Sequence, residues 1–283
     1  MMNSMAIDMG TVFHAINRLE KNYSGKNQYW KAVNPEQAVA LEFYRVFHDM
    51  LSRSEGFKGK ASPDWEVLNE FLEANDLGKM FDRSLNGIGI ISILDELIQY
   101  SEEVSLCEIY GGDYNNHAGV KIPEGSYFVS HIQSLDNELI CIHTKDNNSL
   151  WLTMPDSPPK NPVDLLQIVF NTMMSPGTGS LIGPFGHIKV PQIRLDLKPD
   201  ISFLSGAYTY DQNSNKRWVI SQAYQRFKLR TNLEGPRVIR RGTSPDETEI
   251  LVFDRPFIGW LDHPGSNLPA AIFYADYDSW KAQ

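Results

Sequence analysis

Residues 250–280 constrain this chain more than any other stretch. They read as two apolar runs, 250–261 and 270–277, joined by the turn formers Pro264, Gly265, Ser266 and Asn267. Turn chemistry between two such runs predicts a β-hairpin. Because both runs are apolar at nearly every residue, each strand is expected to be covered on both faces. The hairpin should therefore lie in the middle of the core.

The 283 residues, 42% apolar and 11% aromatic, suffice for a packed core. No apolar run approaches the roughly eighteen residues of a membrane span, and the first ten residues lack a basic start and an apolar h-region. These features give the expectation of a cytoplasmic protein without a membrane partner. In that setting Cys107 and Cys141 are expected to be reduced thiols. The net charge is −9, and residues 1–110 hold 10 basic against 17 acidic side chains, a balance that argues against nucleic acid as a partner. Locally, residues 226–241 carry Arg226, Lys228, Arg230, Arg237, Arg240 and Arg241 against Glu234 alone. That stretch reads either as a solvated edge strand with its loop or as a contact surface for an acidic or protease partner.

Along the chain, helical spacing comes first. Val12, Phe13, Ile16 and Leu19 form one stripe. Asn34, Pro35 and Gln37 open a second helix with a cap, a proline at the first position and a capping-box partner. Ser62-Pro63-Asp64 starts a third helix, and Ile90, Ile91, Leu94, Leu97 and Ile98 predict a fourth over roughly 88–106. Residues 1–110 are thus expected to be a helical region and 111–283 a β-rich region, either as separate units or as one continuous domain. In the second region, runs at 126–133, 138–144 and 149–154 are separated by Asn/Asp turns and predict an antiparallel meander. A helix is expected over 162–174, a Gly/Pro-rich loop over 175–186, and strands at 187–197 and 218–231. The fold class is α+β, helices preceding antiparallel sheets.

Four fragments in this order resemble the C-terminal half of the serpins: Ser149-Leu-Trp-Leu-Thr-Met-Pro-Asp156, His187-Ile-Lys-Val-Pro-Gln-Ile-Arg-Leu-Asp196, Val219 through Gly235, and Phe253-Asp-Arg-Pro-Phe-Ile-Gly-Trp260 followed by Ala271-Ile-Phe-Tyr-Ala-Asp276. The resemblance covers about residues 120–280 and implies a serpin-like fold. In inhibitory serpins the strand corresponding to 219–235 runs on through small residues into a long reactive loop, which inserts into the central sheet after cleavage. Here Gly235-Pro-Arg-Val-Ile-Arg-Arg241 follows, and 19 residues separate Glu234 from Asp254. Proline cannot donate to a ladder and a buried arginine needs a partner, so insertion is disfavoured. The resemblance with this departure implies a non-inhibitory binding or interaction protein, its loop residues Arg237, Arg240 and Arg241 forming a binding surface.

Two further readings follow from the residues. In one, the three loop arginines make the chain a substrate-like inhibitor of a trypsin-like protease. In the other, an aromatic cleft in the β-rich part, which holds Trp151, Trp218, Trp260 and Trp280 with Phe273 and Tyr274 nearby in sequence, takes an apolar small molecule as carrier or enzyme, with His117 or His143 as the base. His131, Cys141 and His143 on adjacent strands are weak candidates for a metal site, which is not the expected outcome. No G-x-S-x-G elbow, P-loop or H-E-x-x-H motif is present; no cofactor is expected and enzymatic activity is not the favoured reading.

Overall fold

The computed structural model describes residues 3–23, 29–100, 104–132, 138–146, 148–175, 177–181, 185–211, 216–232, 250–262 and 268–282, with backbone alone at 23, 131–132, 177–181 and 232. The chain begins β1 (Met5–Ile7), α1 (Met9–Tyr23), α2 (Pro35–Arg53), β2 (Lys58–Ser62), α3 (Trp65–Glu73) and β3 (Ile88–Gln99). Five strands follow: β4 (Ser105–Tyr110), β5 (Asn116–Pro123), β6 (Tyr127–Ile132), β7 (Leu139–His143) and β8 (Ser149–Thr153). Then come α4 (Pro162–Met174), β9 (Gly177–Leu181), β10 (His187–Pro191), β11 (Arg194–Leu197) and β12 (Tyr208–Tyr210). The last strands are β13 (Arg217–Asn232), β14 (Ile250–Val252), β15 (Phe257–Asp262) and β16 (Pro269–Ala275).

These strands make three sheets, ordered β1-β16-β15-β8-β7-β6-β9, β14-β10-β5-β4 and β11-β13-β3-β2. In the first, every pairing is antiparallel and β6-β7-β8 is the expected meander. The other two are mixed, because β3 runs parallel to β13 and β10 parallel to β14.

The terminal hairpin explains its own composition. Ile258, Trp260, Ile272 and Tyr274 face the core layer that α1, α2 and α4 cover. Their neighbours Phe257, Leu261, Ala271 and Phe273 face a second core shared with β5, β10 and β13. Side chains alternate along a strand, so two apolar layers demand an apolar residue at every position.

Three expectations need correction. The described residues of 88–106 are not helical: they form β3 and the start of β4. In β3, Ile90 packs toward α1, whereas Ile91 packs on Leu68, Leu72 and Phe81 beneath α3. A run buried on both faces imitates a helical stripe, and its five isoleucines were the signal for strand. The run 250–261 is two strands in different sheets, broken at Phe253–Pro256, where proline ends the ladder. Part of the expected loop 175–186 is β9, which pairs with β6.

Helix starts follow local chemistry. Asn34 Oδ1 accepts the Gln37 N–H at 2.8 Å, and the buried Gln37 accepts the Val33 N–H and donates to the Phe203 and Ser205 carbonyls. Asn34→Ala is expected to cost about 1 kcal/mol, read as a lower urea midpoint at constant slope. An unchanged midpoint would mean that the cap contributes nothing.

Candidate functional site

The centre of the third sheet is a seam where β13 lies against β3, in register from Ile220 opposite Ile88 to Asn232 opposite Gln99 with one bulge after Ile220. Beyond the bulge β13 alternates strictly. Ala223, Gln225, Phe227, Leu229 and Thr231 are buried, while Tyr224, Arg226, Lys228 and Arg230 face outward. The outward basic residues are not on an edge strand, as expected from the sequence, because β13 is interior to its sheet. Arg226 pairs with Asp196 on β11, and Arg230 pairs with Asp95 on β3 at 2.8 Å. Such exposed pairs stabilise by about 0–1 kcal/mol each and mainly neutralise the stripe.

Beneath the seam sits a buried polar knot. The Gln225 amide accepts the Asp8 N–H at 3.0 Å and donates to both the Asp8 carbonyl at 2.9 Å and Ser92 Oγ at 3.0 Å. One side chain thereby fastens β13, β3 and the N-terminus of α1. Asp8 Oδ1 accepts the Thr11 N–H, but Oδ2 is buried without a hydrogen-bond partner. Burial pushes the Asp8 carboxyl up to about 7; the Thr11 hydrogen bonds oppose this and the charge of Glu96 adds to it. Sequence reading missed this knot. The available signal was an Asp just ahead of an apolar stripe, the usual helix cap.

The histidine and cysteine candidates fall elsewhere. His117, on β5, is buried, with Nε2 between the two Asp113 carboxylate oxygens at 3.0 and 3.1 Å. Its ring stacks on Tyr277 and meets the edge of Trp280. It is placed to fasten the C-terminal segment to β5, and it does not line the cavity described below. His143 is exposed on β7 with its ring edge on Phe128. Burial pushes the Cys141 thiol up to about 11, with Ser149 opposing and Asp262 reinforcing, so it is protonated at neutral pH. The side chain of His131 lies outside the described residues, as do Arg237, Arg240 and Arg241. Among the described residues no group of three His, Cys, Asp or Glu is arranged to hold a metal ion.

The aromatic residues expected to line a cleft are not gathered in one place. Trp151 and Trp260 stack at 5.9 Å, and Trp260, Phe273 and Tyr274 are core residues. Trp218 instead lines a cavity of about 610 Å3 at the start of the seam, together with Leu19, Ile88 and Arg217. No helix among the described residues is long and apolar enough to cross a membrane.

Three sheets with a parallel seam at the centre of one define a serpin-like fold. Serpin-12 of Manduca sexta superposes with a TM-score of 0.54 at 10% identity, covering 100% of this chain and 95% of that one. Protease nexin-1, solved with heparin, gives 0.51 at 10% identity, with 95% and 97% covered. Thyroxine-binding globulin, solved with thyroxine, gives 0.54 at 9% identity, with 96% and 92% covered. No family model and no curated protein sequence matches the chain.

Proposed function

We propose that this chain is a non-inhibitory binding protein on a serpin-like scaffold. The observation that carries this reading is the apolar floor of the seam, where Leu94, Ile98, Phe227 and Leu229 are all buried. A strand entering between β3 and β13 would have to turn alternate residues onto that floor. In Pro236-Arg-Val-Ile-Arg-Arg241 one parity carries Arg237 and Arg241, and the other carries Arg240. Either choice turns an arginine onto the apolar residues Leu94, Ile98, Phe227 and Leu229, at a cost of several kcal/mol. On the outward face of β13, Arg226 and Arg230 are already paired with Asp196 and Asp95. That thyroxine-binding globulin is solved with a small molecule bound is consistent with a binding role for this scaffold.

Trypsin provides the test. Cleavage after an arginine of 233–249 is expected to proceed as for an ordinary substrate. It should leave no SDS-stable complex, and the cleaved chain should melt where the intact chain does. A covalent complex, or a melting temperature raised by cleavage because a new strand has joined the sheet, would overturn the reading. Tight inhibition without a covalent complex, abolished by replacing the three arginines with alanine, would instead support the substrate-like inhibitor.

A further inference from the structure

The cavity that Trp218 lines lies where the first residues of β13 meet the entry to β3. Leu19, Ile88, Trp218 and Val219 give it apolar walls, and Gly87 lines it where a Cβ would stand 2.5 Å from the Val219 carbonyl oxygen. Three charged residues border it: Asp211, Lys216 and Arg217. Asp211 is buried, and both it and Lys216 already have partners. Arg217 is exposed, and among the described residues its guanidinium makes no hydrogen bond or ion pair.

What holds Arg217 is aromatic. Its Cζ lies over the Tyr208 ring, 4.2 Å from the centroid. Antiparallel pairing sets Tyr208 opposite Val219 and Tyr210 opposite Arg217, so these four side chains share one face of the β12/β13 ribbon. Lys31 is tied to Tyr208 by reciprocal backbone hydrogen bonds of 2.7 and 3.1 Å, and its ammonium stands 5.9 Å from the Tyr208 centroid and 5.8 Å from that of Tyr210. Two cations thus share one ring, and among the described residues neither has a carboxylate partner. A cation–π contact uses the flat face of a guanidinium and leaves its N–H edge free for an anion. The two like charges repel each other, and an anion beside them relieves that repulsion.

We infer that this cavity binds an apolar organic acid, its body against Leu19, Ile88 and Trp218 and its carboxylate on the Arg217 guanidinium, with the Lys31 ammonium nearby. The volume of about 610 Å3 falls in the range of small-molecule sites. The planar fork of arginine matches a carboxylate with two parallel N–H donors. A bare inorganic anion would leave the apolar walls unused, and an uncharged apolar molecule would leave the cations unanswered. The inference gives the binding role proposed above a ligand class and rests on that role, but it makes no use of residues 233–249.

Calorimetric titration with 4-phenylbutyrate at pH 7.5 tests it, with 4-phenyl-1-butanol as the uncharged counterpart. Saturable binding of the acid is expected, with the alcohol at least about fivefold weaker. Arg217→Gln removes the charge and should weaken the acid by at least about fivefold while leaving the alcohol unchanged. Lys31→Gln should weaken the acid about two- to threefold, as befits a charge near the carboxylate but not in contact with it. Val219→Phe fills the cavity and should remove binding of both, whereas Lys160→Gln, an exposed cation outside the lining, should change neither. No saturation up to about 10 mM, equal binding of the alcohol, or unchanged affinity in folded Arg217→Gln or Val219→Phe would overturn the inference. The trypsin outcome is separate: a chain that forms no covalent complex and binds no acid keeps the non-inhibitory reading and loses this ligand.

Discussion

Gly259→Val is expected to lower the stability of this protein by about 3 kcal/mol or more. Gly259 sits in the middle of β15, where a Cβ would stand 2.4 Å from Phe273 Cζ and 2.8 Å from Leu152 Cδ2. Phe273 is fully buried and Leu152 nearly so, and the Phe273 ring is held in turn against Phe257 at 6.3 Å between centroids. Neither neighbour can swing into solvent, so the backbone would have to yield in a sheet paired on both sides of β15. Phe273→Leu alone should also destabilise, by about 1–3 kcal/mol, through the cavity it leaves. The double variant should cost clearly less than the sum, because the smaller side chain vacates the space the new methyls need. Urea unfolding of the two single variants and the pair checks this. Strict additivity would show that the Gly259 site does not depend on the Phe273 ring.

The second large effect is on pH. An ordinary aspartate titrates near 3.8, and burial holds Asp8 at about 7 in the folded chain. Between those values the folded state binds a proton that the unfolded state does not. Stability is therefore highest on the acid side and is lost as pH rises through about 7. That loss amounts to about 4 kcal/mol. Asp262, pushed up to about 6, adds a slope of the same sign over a lower window. Asp8→Asn keeps an acceptor for the Thr11 N–H while removing the ionisation, so it should flatten the decline between about pH 4 and 7. At pH 8 it should be the more stable protein by at least about 1 kcal/mol, after allowing for an unpaired amide N–H. Unfolding midpoints at pH 5, 6, 7 and 8 decide it. Parallel profiles for the two proteins would show that Asp8 does not control the slope.

Wherever the cause of structure is local, the residues could be read directly. Asn34 and Asn161 cap the helices they precede, each accepting from the backbone N–H three residues on. The turns between 126 and 154 set the meander, and the alternation in β13 marks its buried face. Four fragments resembling serpins pointed to a serpin-like fold. The misreadings share one origin. In β3 both faces are buried, so period 2 disappears and only the isoleucine content distinguishes strand from helix. In 250–261 an apolar run hides a change of sheet, since Leu251 and Val252 pair with β10 and Ile258 pairs with β8.

The candidate chemistry was less legible. His117 and Cys141 drew attention by residue type, yet one is fixed by Asp113 and two aromatic rings and the other is a buried neutral thiol. Asp8 and Asp262 carry the perturbed titrations, and in sequence they look like a helix cap and a turn residue.

By itself, then, the sequence determined the capped helices, the meander, the apolar hairpin and a 233–249 segment that cannot bury one face without burying an arginine. Each of these rests on neighbours a few residues apart. Only the tertiary structure decided that β3 and β13 run side by side in parallel, that Gln225 reaches Asp8 across 217 positions, and that Asp262 is buried at the register slip of the hairpin, accepting the Trp151 indole N–H. Burial and desolvation come from contacts distant in the chain, and local periodicity carries no record of which distant surface will cover a given side chain.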